Sequence, residues 1–241
     1  MLKTDWLIFG ATFLGCSFAL KKENCIILEE GCTLGSEFIA NFNQKEPKPF
    51  TAKTNDGQKF LNLLKENNFV SDSGEIYAFP VLLEFSKLVS YKDEIEIHFD
   101  TVVTSIEKEN DGFLVEFSNC NGIQTIFANH ILDTTSKGAL YQNKRDAYFS
   151  TVVENNGEIY NEITNLSYVF VPFDTDFTKT RENVLKKAKN LNAKIMMLSN
   201  CLCYRNEVKP YEKDEINYAP SDGFYNPLFA FEGGVLLAEE L

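Results

Sequence analysis

Trp6-Leu-Ile-Phe-Gly10-Ala-Thr-Phe-Leu-Gly15 is followed, after nine intervening residues, by Cys25-Ile-Ile-Leu-Glu29-Glu30-Gly31. The run from Trp6 to Phe9 is apolar at every position and too short for a helix, so it reads as a buried strand. Gly10 breaks it, and Phe13 to Leu20 is apolar enough for a short buried helix, closed by the polar turn Lys21-Lys-Glu-Asn24. Cys25 to Leu28 is a second buried strand. Strand, glycine turn, helix and strand in so few residues make a compact βαβ unit, which requires two parallel strands.

Working outward, residues 43 to 75 are polar and irregular, with one helical piece at Gly57 to Glu66. Leu82, Leu83, Phe85, Leu88 and Val89 mark a helix face within Val81 to Tyr91. Alternating apolar residues from Ile95 to Phe117, divided by Asn110-Asp-Gly112 and Asn119-Cys-Asn-Gly122, predict one strand and then an antiparallel meander. Thr125 to Leu132 predicts a further, return strand ending at Asp133-Thr-Thr-Ser-Lys-Gly138. Beyond it, Tyr148 to Glu154, Leu166 to Phe173 and Lys194 to Arg205 read as strands, and Thr178 to Asn190 as an exposed charged helix. Pro220 to Pro227 is loop chemistry leading into a last helix, Phe229 to Leu241.

Composition narrows the function. The 241 residues fit one ordinary domain or a domain with a modest insertion. Acidic residues outnumber basic ones 35 to 23, and arginine occurs only at 145, 181 and 205, so nucleic acid and anionic lipid are repelled. No apolar run approaches the ~20 residues that span a bilayer, and the N-terminal stretch lacks the form of a signal peptide. Six cysteines without a C-x-x-C pair read as reduced thiols, most of them core, and imply a cytoplasmic protein. Cys201 and Cys203 are expected on one face of a strand. His98 and His130, the only histidines, exclude a His-rich metal site and leave few candidates for a histidine-based triad.

Gly10-Ala11-Thr12-Phe13-Leu14-Gly15 stands where a dinucleotide fingerprint, G-x-G-x-x-G, would stand. The first glycine permits the strand-to-helix turn and the third lets helix and strand approach. The helix start offers free N–H groups to a pyrophosphate. Glu29, nineteen residues after Gly10, has the order and spacing of the acid that binds a ribose hydroxyl, with Glu30 as the neighbouring candidate. Thr12 replaces the middle glycine; its side chain either crowds the phosphate or bonds it through the hydroxyl.

With Thr101 to Val115, Ile131 to Ser136 and the terminal loop, this stretch resembles FAD-dependent oxidoreductases of the glutathione-reductase-like superfamily. The resemblance covers residues 4–35, 80–138 and 215–241. It implies an α/β fold: an FAD/NAD(P)-binding Rossmann-like parallel sheet with a β-meander (residues 1–140 and 215–241) plus a small, mainly β cap or substrate domain (residues 141–214). It implies FAD as cofactor, contacted by the fingerprint residues, Glu29 or Glu30, Val103, Thr134, Thr135, Asp222, Asn226 and Pro227. Ser136 replaces a glycine of the family's return turn, and Asp222-Gly223 does not reproduce its usual Gly-Asp pair. No second glycine fingerprint serves NAD(P), which points to the branch in which a small organic substrate reduces the flavin directly.

Other readings stand beside this one. Gly10 and Gly15 can shape a turn in another α/β fold, including a simple NAD(P)-binding one, and the departures at Thr12 and Ser136 suit a degenerate, non-catalytic nucleotide-binding or interaction scaffold. Arg205 is either a substrate-carboxylate clamp or a surface ion pair. No side chain stands out as a catalytic acid or base.

Overall fold

The computed structural model describes residues 1–92, 94–136 and 146–241. The end of the turn at Lys137-Gly138, the boundary expected at 140/141, and Arg145 lie outside them.

The chain runs β1 (Leu2–Phe9), α1 (Phe13–Ala19), β2 (Cys25–Leu28), α2 (Ser36–Ile39), α3 (Asn55–Glu66), α4 (Ala78–Ser90), β3 (Ile95–His98), β4 (Val102–Glu109), β5 (Gly112–Asn119) and β6 (Gly122–Asp133). It continues with β7 (Ala147–Val153), β8 (Ile159–Asn161), β9 (Leu166–Pro172), α5 (Phe177–Asn190), β10 (Ile195–Leu198), β11 (Cys203–Tyr204), β12 (Tyr211–Lys213), β13 (Ile216–Tyr218), a 3-10 turn at Ser221–Gly223, and α6 (Pro227–Glu240).

The first sheet has eight strands along the path β12-β13-β6-β1-β2-β3, with the β4–β5 hairpin joined through β5 to β6. β1 pairs in parallel with β2 and with β6, and β2 with β3. The expected βαβ unit is therefore present. β1 and β2 are apolar throughout because both faces are covered. Trp6, Ile8, Cys25 and Ile27 face α1, α3, α4 and α6, while Leu7, Phe9, Ile26 and Leu28 face the meander residues Phe113, Val115 and Phe117. This is an α/β, Rossmann-like architecture in three layers.

The return strand expected at Thr125 to Leu132 is present as β6, twelve residues long, antiparallel to β5 as far as Ala128 and parallel to β1 from Ile126 to Asp133. One expectation needs correction: Lys194 to Arg205 is two strands. Between them Ser199 Oγ accepts from Cys201 N at 3.2 Å and donates to the Cys201 carbonyl, a local alternative to ladder bonding that turns the chain. Cys201 thus falls outside any strand and shares no strand face with buried Cys203. All six cysteines are thiols.

α4 begins three residues before Val81 because Pro80 sits in its first turn, where a missing N–H costs nothing. α5 buries Thr180, Val184 and Ala188, one helical stripe, against β7 and β9 of the five-stranded second sheet. That sheet's other face, with Val152, Tyr168 and Phe170, turns toward Phe42. The segment after α2 stitches the sheets together: Asn41 Nδ2 donates to the Leu202 carbonyl at 3.4 Å, Asn43 Nδ2 to Tyr204 O at 3.3 Å, and Ser150 Oγ to Asn41 O. No helix among the described residues is long and apolar enough to cross a membrane.

α1 and α6 pack directly, and Gly234 is the close point: a Cβ there would lie 2.0 Å from Ser17 Oγ and 2.3 Å from the Leu14 carbonyl oxygen. Gly234→Ala is expected to lower stability by about 1–3 kcal/mol through overpacking, read as an earlier urea midpoint with an unchanged slope.

Candidate functional site

The start of α1 is where the sequence-derived residues meet. β1 ends at Phe9, and Gly10 turns the chain with φ +93°, a conformation open to glycine and strained for side chains. The return strand closes over this turn. Thr134 N donates to the Phe9 carbonyl at 2.9 Å, and Thr134 Oγ1 donates to Phe9 O at 2.9 Å and Gly10 O at 3.1 Å. Thr135 N and Oγ1 both donate to Asp133 Oδ1, at 2.9 and 2.7 Å, holding the turn that leaves β6. The terminal loop joins from the other side, with Ser221 N on the Thr134 carbonyl at 3.1 Å and Ala219 N on Asp133 O at 2.8 Å.

Thr12 has a definite task. It is the N-cap of α1: its Oγ1 accepts from Gly15 N at 2.9 Å and donates to Thr134 Oγ1 at 2.8 Å. Capping explains why a β-branched hydroxyl residue suits this position, a role that neither expectation, crowding nor phosphate bonding, included.

Glu29 and Glu30 separate cleanly. Glu30 is exposed, while Glu29 is buried, with Oε2 accepting from Ala11 N and Oε1 from Gly31 N, each at 2.7 Å. Burial raises its pKa, opposed by those two N–H bonds. Val103 lies two residues beyond Thr101, whose N–H donates to the Glu29 carbonyl at 2.9 Å. Asp222 is fully buried in the 3-10 turn. Asn226 and Pro227 serve α6: Asn226 Oδ1 accepts from Leu228 N at 3.0 Å and Phe229 N at 3.2 Å, and Pro227 is the first helical residue.

Three participants were not foreseen. Glu37, on α2, is 5% exposed, and its Oε1 accepts from Phe13 N at 2.8 Å and from Ser221 Oγ at 2.6 Å. Its Oε2 is buried without a hydrogen-bond partner among the described residues. Burial pushes the Glu37 carboxyl from the ordinary 4.5 up to about 7; Ser221 and the Phe13 N–H pull it down, and nearby Asp222 adds to the rise. Ser221 Oγ also accepts from Leu14 N at 3.2 Å. Lys45 is buried, its Nζ donating to the carbonyls of Asp222 at 3.1 Å and Phe224 at 2.6 Å, which ties the second-sheet side to the terminal loop. Glu37 follows Gly35, whose N–H donates to the Ala11 carbonyl at 2.8 Å, so the loop after β2 returns to the fingerprint turn. An acid shortly after a strand carries no periodic or motif signal of its own.

The fit to a dinucleotide can be tested on these bonds. The Gly10 turn, Glu29 at the end of β2 and buried Asp222 suit one. The first N–H groups of α1, the natural phosphate donors, are already taken by Glu37, Ser221 and Thr12. A carboxylate on a helix N-terminus is the same electrostatic match as a phosphate. The place is thus built for an anion, and the chain supplies one itself.

Away from this centre, Arg205, just beyond β11, lies over the Phe170 ring with its guanidinium carbon 3.9 Å from the centroid. His130 stacks on Trp6 at 4.7 Å, and His98 packs edge-on to Phe117 at 5.6 Å. A small cleft of about 50 Å³ between α2, the start of α4 and the second sheet is lined by Phe38, Phe42, Tyr77, Tyr168 and Met197 among others.

No family model matches the sequence, and no curated protein matches it. Solved structures do share its fold. p-Nitrophenol 4-monooxygenase from Pseudomonas putida DLL-E4 matches with a TM-score of 0.62 at 14% identity, over 99% of this chain and 78% of the other. Glycine oxidase from Geobacillus kaustophilus matches at 0.60 and 12%, over 99% and 94%. A flavoprotein/dehydrogenase from Cytophaga hutchinsonii matches at 0.53 and 12%, over 98% and 77%. Other matching structures are longer, and the chain spans 60% and 61% of two of them. At these identities the likeness establishes the fold.

Two outcomes follow for the site. Thr12→Ala should cost about 1 kcal/mol of stability by removing the cap, with Thr12→Ser near wild type in thermal unfolding. Glu37 holds its proton more tightly folded than unfolded, so its contribution is present near pH 4.5 and fades as pH rises to about 7. Wild-type stability should fall across that window by on the order of 3 kcal/mol. Glu37→Gln should flatten the fall in urea titrations at pH 5 and 8.

Proposed function

We propose that this chain is an FAD-dependent oxidoreductase in which a small organic substrate reduces the flavin directly. One observation carries the reading. Four segments distant in sequence, namely the Gly10–Gly15 turn, Glu29, Thr134–Thr135 and Ser221–Asp222, are bonded to one another around the start of α1. They do so within a fold shared with an oxidase, a monooxygenase and a flavoprotein/dehydrogenase.

In this reading the turn residues Gly10 to Gly15 hold the pyrophosphate, and Glu29, the buried acid of its pair, takes the adenosine ribose. Val103 backs the adenosine, Thr134 and Thr135 keep the turn closed, and Asp222 with the loop to Asn226 and Pro227 faces the ribityl side. When bound, FAD supplies the electron chemistry; the chain binds and orients it. The second sheet, within residues 141–214, is the substrate side. The direct reduction rests on the absence of a second fingerprint in the sequence, and a cytoplasmic place on the cysteine and charge pattern. The alternative, a non-catalytic scaffold, is favoured by one observation: the α1 donors are satisfied within the chain.

FAD retention tests the proposal. Purified protein should bind FAD, identified after denaturation against FMN. Gly10→Val should abolish uptake, because the positive φ and Thr134 Oγ1 at 3.0 Å leave no room for a side chain. Glu29→Gln should weaken binding by about 1.5–3 kcal/mol through loss of a charge-assisted bond, measured by flavin fluorescence titration. Wild-type affinity in both variants would refute the placement.

A further inference from the structure

We propose that Glu37 is an internal stand-in for the ligand's phosphate and competes with it for the α1 donors, so that it controls which charge state of the site accepts a nucleotide. The inference rests on the FAD reading above and names the residue that regulates that site.

The geometry supplies the competition. Glu37 Oε1 occupies the N–H of Phe13 and draws in Ser221 Oγ, which in turn occupies the N–H of Leu14. These two N–H groups open the helix that the fingerprint turn presents. A phosphate cannot use them while the carboxyl does. Glu37 is also not held at both oxygens. Its Oε2 is buried and unpartnered, which marks a side chain seated for one set of donors rather than locked into a network.

Charge decides the strength of the competitor. As a carboxylate, Glu37 accepts charge-assisted bonds and repels an arriving pyrophosphate at close range in a site shielded from water. As a neutral acid it does neither. The other groups facing it are acidic or thiol: Asp222 from the 3-10 turn, and Cys16 from α1, itself raised by burial and by Glu37 and Glu29. The cation on this side is the buried Lys45, whose Nζ is held by the Asp222 and Phe224 carbonyls. Loss of the Glu37 charge relieves the repulsion, and a midpoint of about 7 puts that change in the physiological range.

The experiment is an FAD titration of the full chain at pH 6 and pH 8, for wild type, Glu37→Gln and Glu37→Ala, with each variant's folding checked by a cooperative urea transition. The pyrophosphate diester keeps its charge over this range, so it does not produce the pH effect. Wild type should bind about tenfold more weakly at pH 8 than at pH 6, the loss expected one pH unit above a group that must be protonated. Glu37→Gln should bind equally at both, near the wild-type strength at pH 6. Glu37→Ala, if folded, should do the same. Binding by the variants with none by wild type at either pH overturns control by charge, since a neutral Glu37 at pH 6 should already admit FAD. Equal, pH-independent binding by wild type and both variants overturns the role of Glu37 and leaves the FAD reading standing. No binding by any folded protein at either pH overturns both.

Discussion

The opening N–H groups of a helix have no partners inside it, and in this chain they fall at the buried start of α1, beneath the terminal loop and the return strand. Each donor left without an acceptor there would cost about 1–3 kcal/mol. The chain meets the demand with three side chains from different parts of the sequence: Thr12 on Gly15, Glu37 on Phe13, and Ser221 on Leu14. These bonds also set the tertiary arrangement. Thr12 reaches on to Thr134 of the return strand, and Ser221 brings the terminal loop over the turn. The junction of β1, β6, α2 and the C-terminal segment is thus a polar centre inside an otherwise apolar, three-layer core.

Much of the architecture was legible because it depends on periodicity and turn chemistry. Fully apolar Trp6–Phe9 and Cys25–Leu28 had to be covered on both faces, and they are. The hairpin turns at Asn110 and Asn119 reported the meander. Where the reading stopped short, the reason was local. The stretch from Lys194 to Arg205 divides because Ser199 diverts the backbone. Short β8, β12 and β13 hold their places by pairing with neighbours and carry too few residues for any period of their own.

The site divides in the same way. Gly10, Thr12, Gly15 and Glu29 occupy a motif with fixed spacing, so each could be named from the sequence. Glu37 and Ser221 act through contacts 24 and 207 residues away in sequence, and such contacts exist only after the sheet has formed. Lys45 is a similar case: a lysine in a polar, irregular segment reads as solvated, yet its amine is buried against the carbonyls of the terminal loop. Its ammonium satisfies carbonyls that the 3-10 turn and the residue after it leave open. Residues that complete a site from distant loops leave no spacing behind, which is why the motif was visible and its closure was not.

The two functional readings impose the same requirement on this centre. A dinucleotide-binding turn presents donors that a phosphate would satisfy, and a turn that has lost its ligand must satisfy them from within or pay in stability. Internal acceptors therefore favour the scaffold only where they are permanent. What separates the two readings is whether the acceptors can be exchanged. Thr12 is tied to its own helix and to Thr134, so its cap is permanent in either case. Glu37 is different: its carboxyl sits in the seat with one oxygen unpartnered, its charge is costly where it lies, and Asp222 makes that cost higher. An acceptor chosen only to stabilise the fold would be better neutral, as Ser221 and Thr12 are. A carboxyl that is held at one oxygen and loses its charge near neutral pH is poorly suited to permanent capping and well suited to yielding its place to another anion.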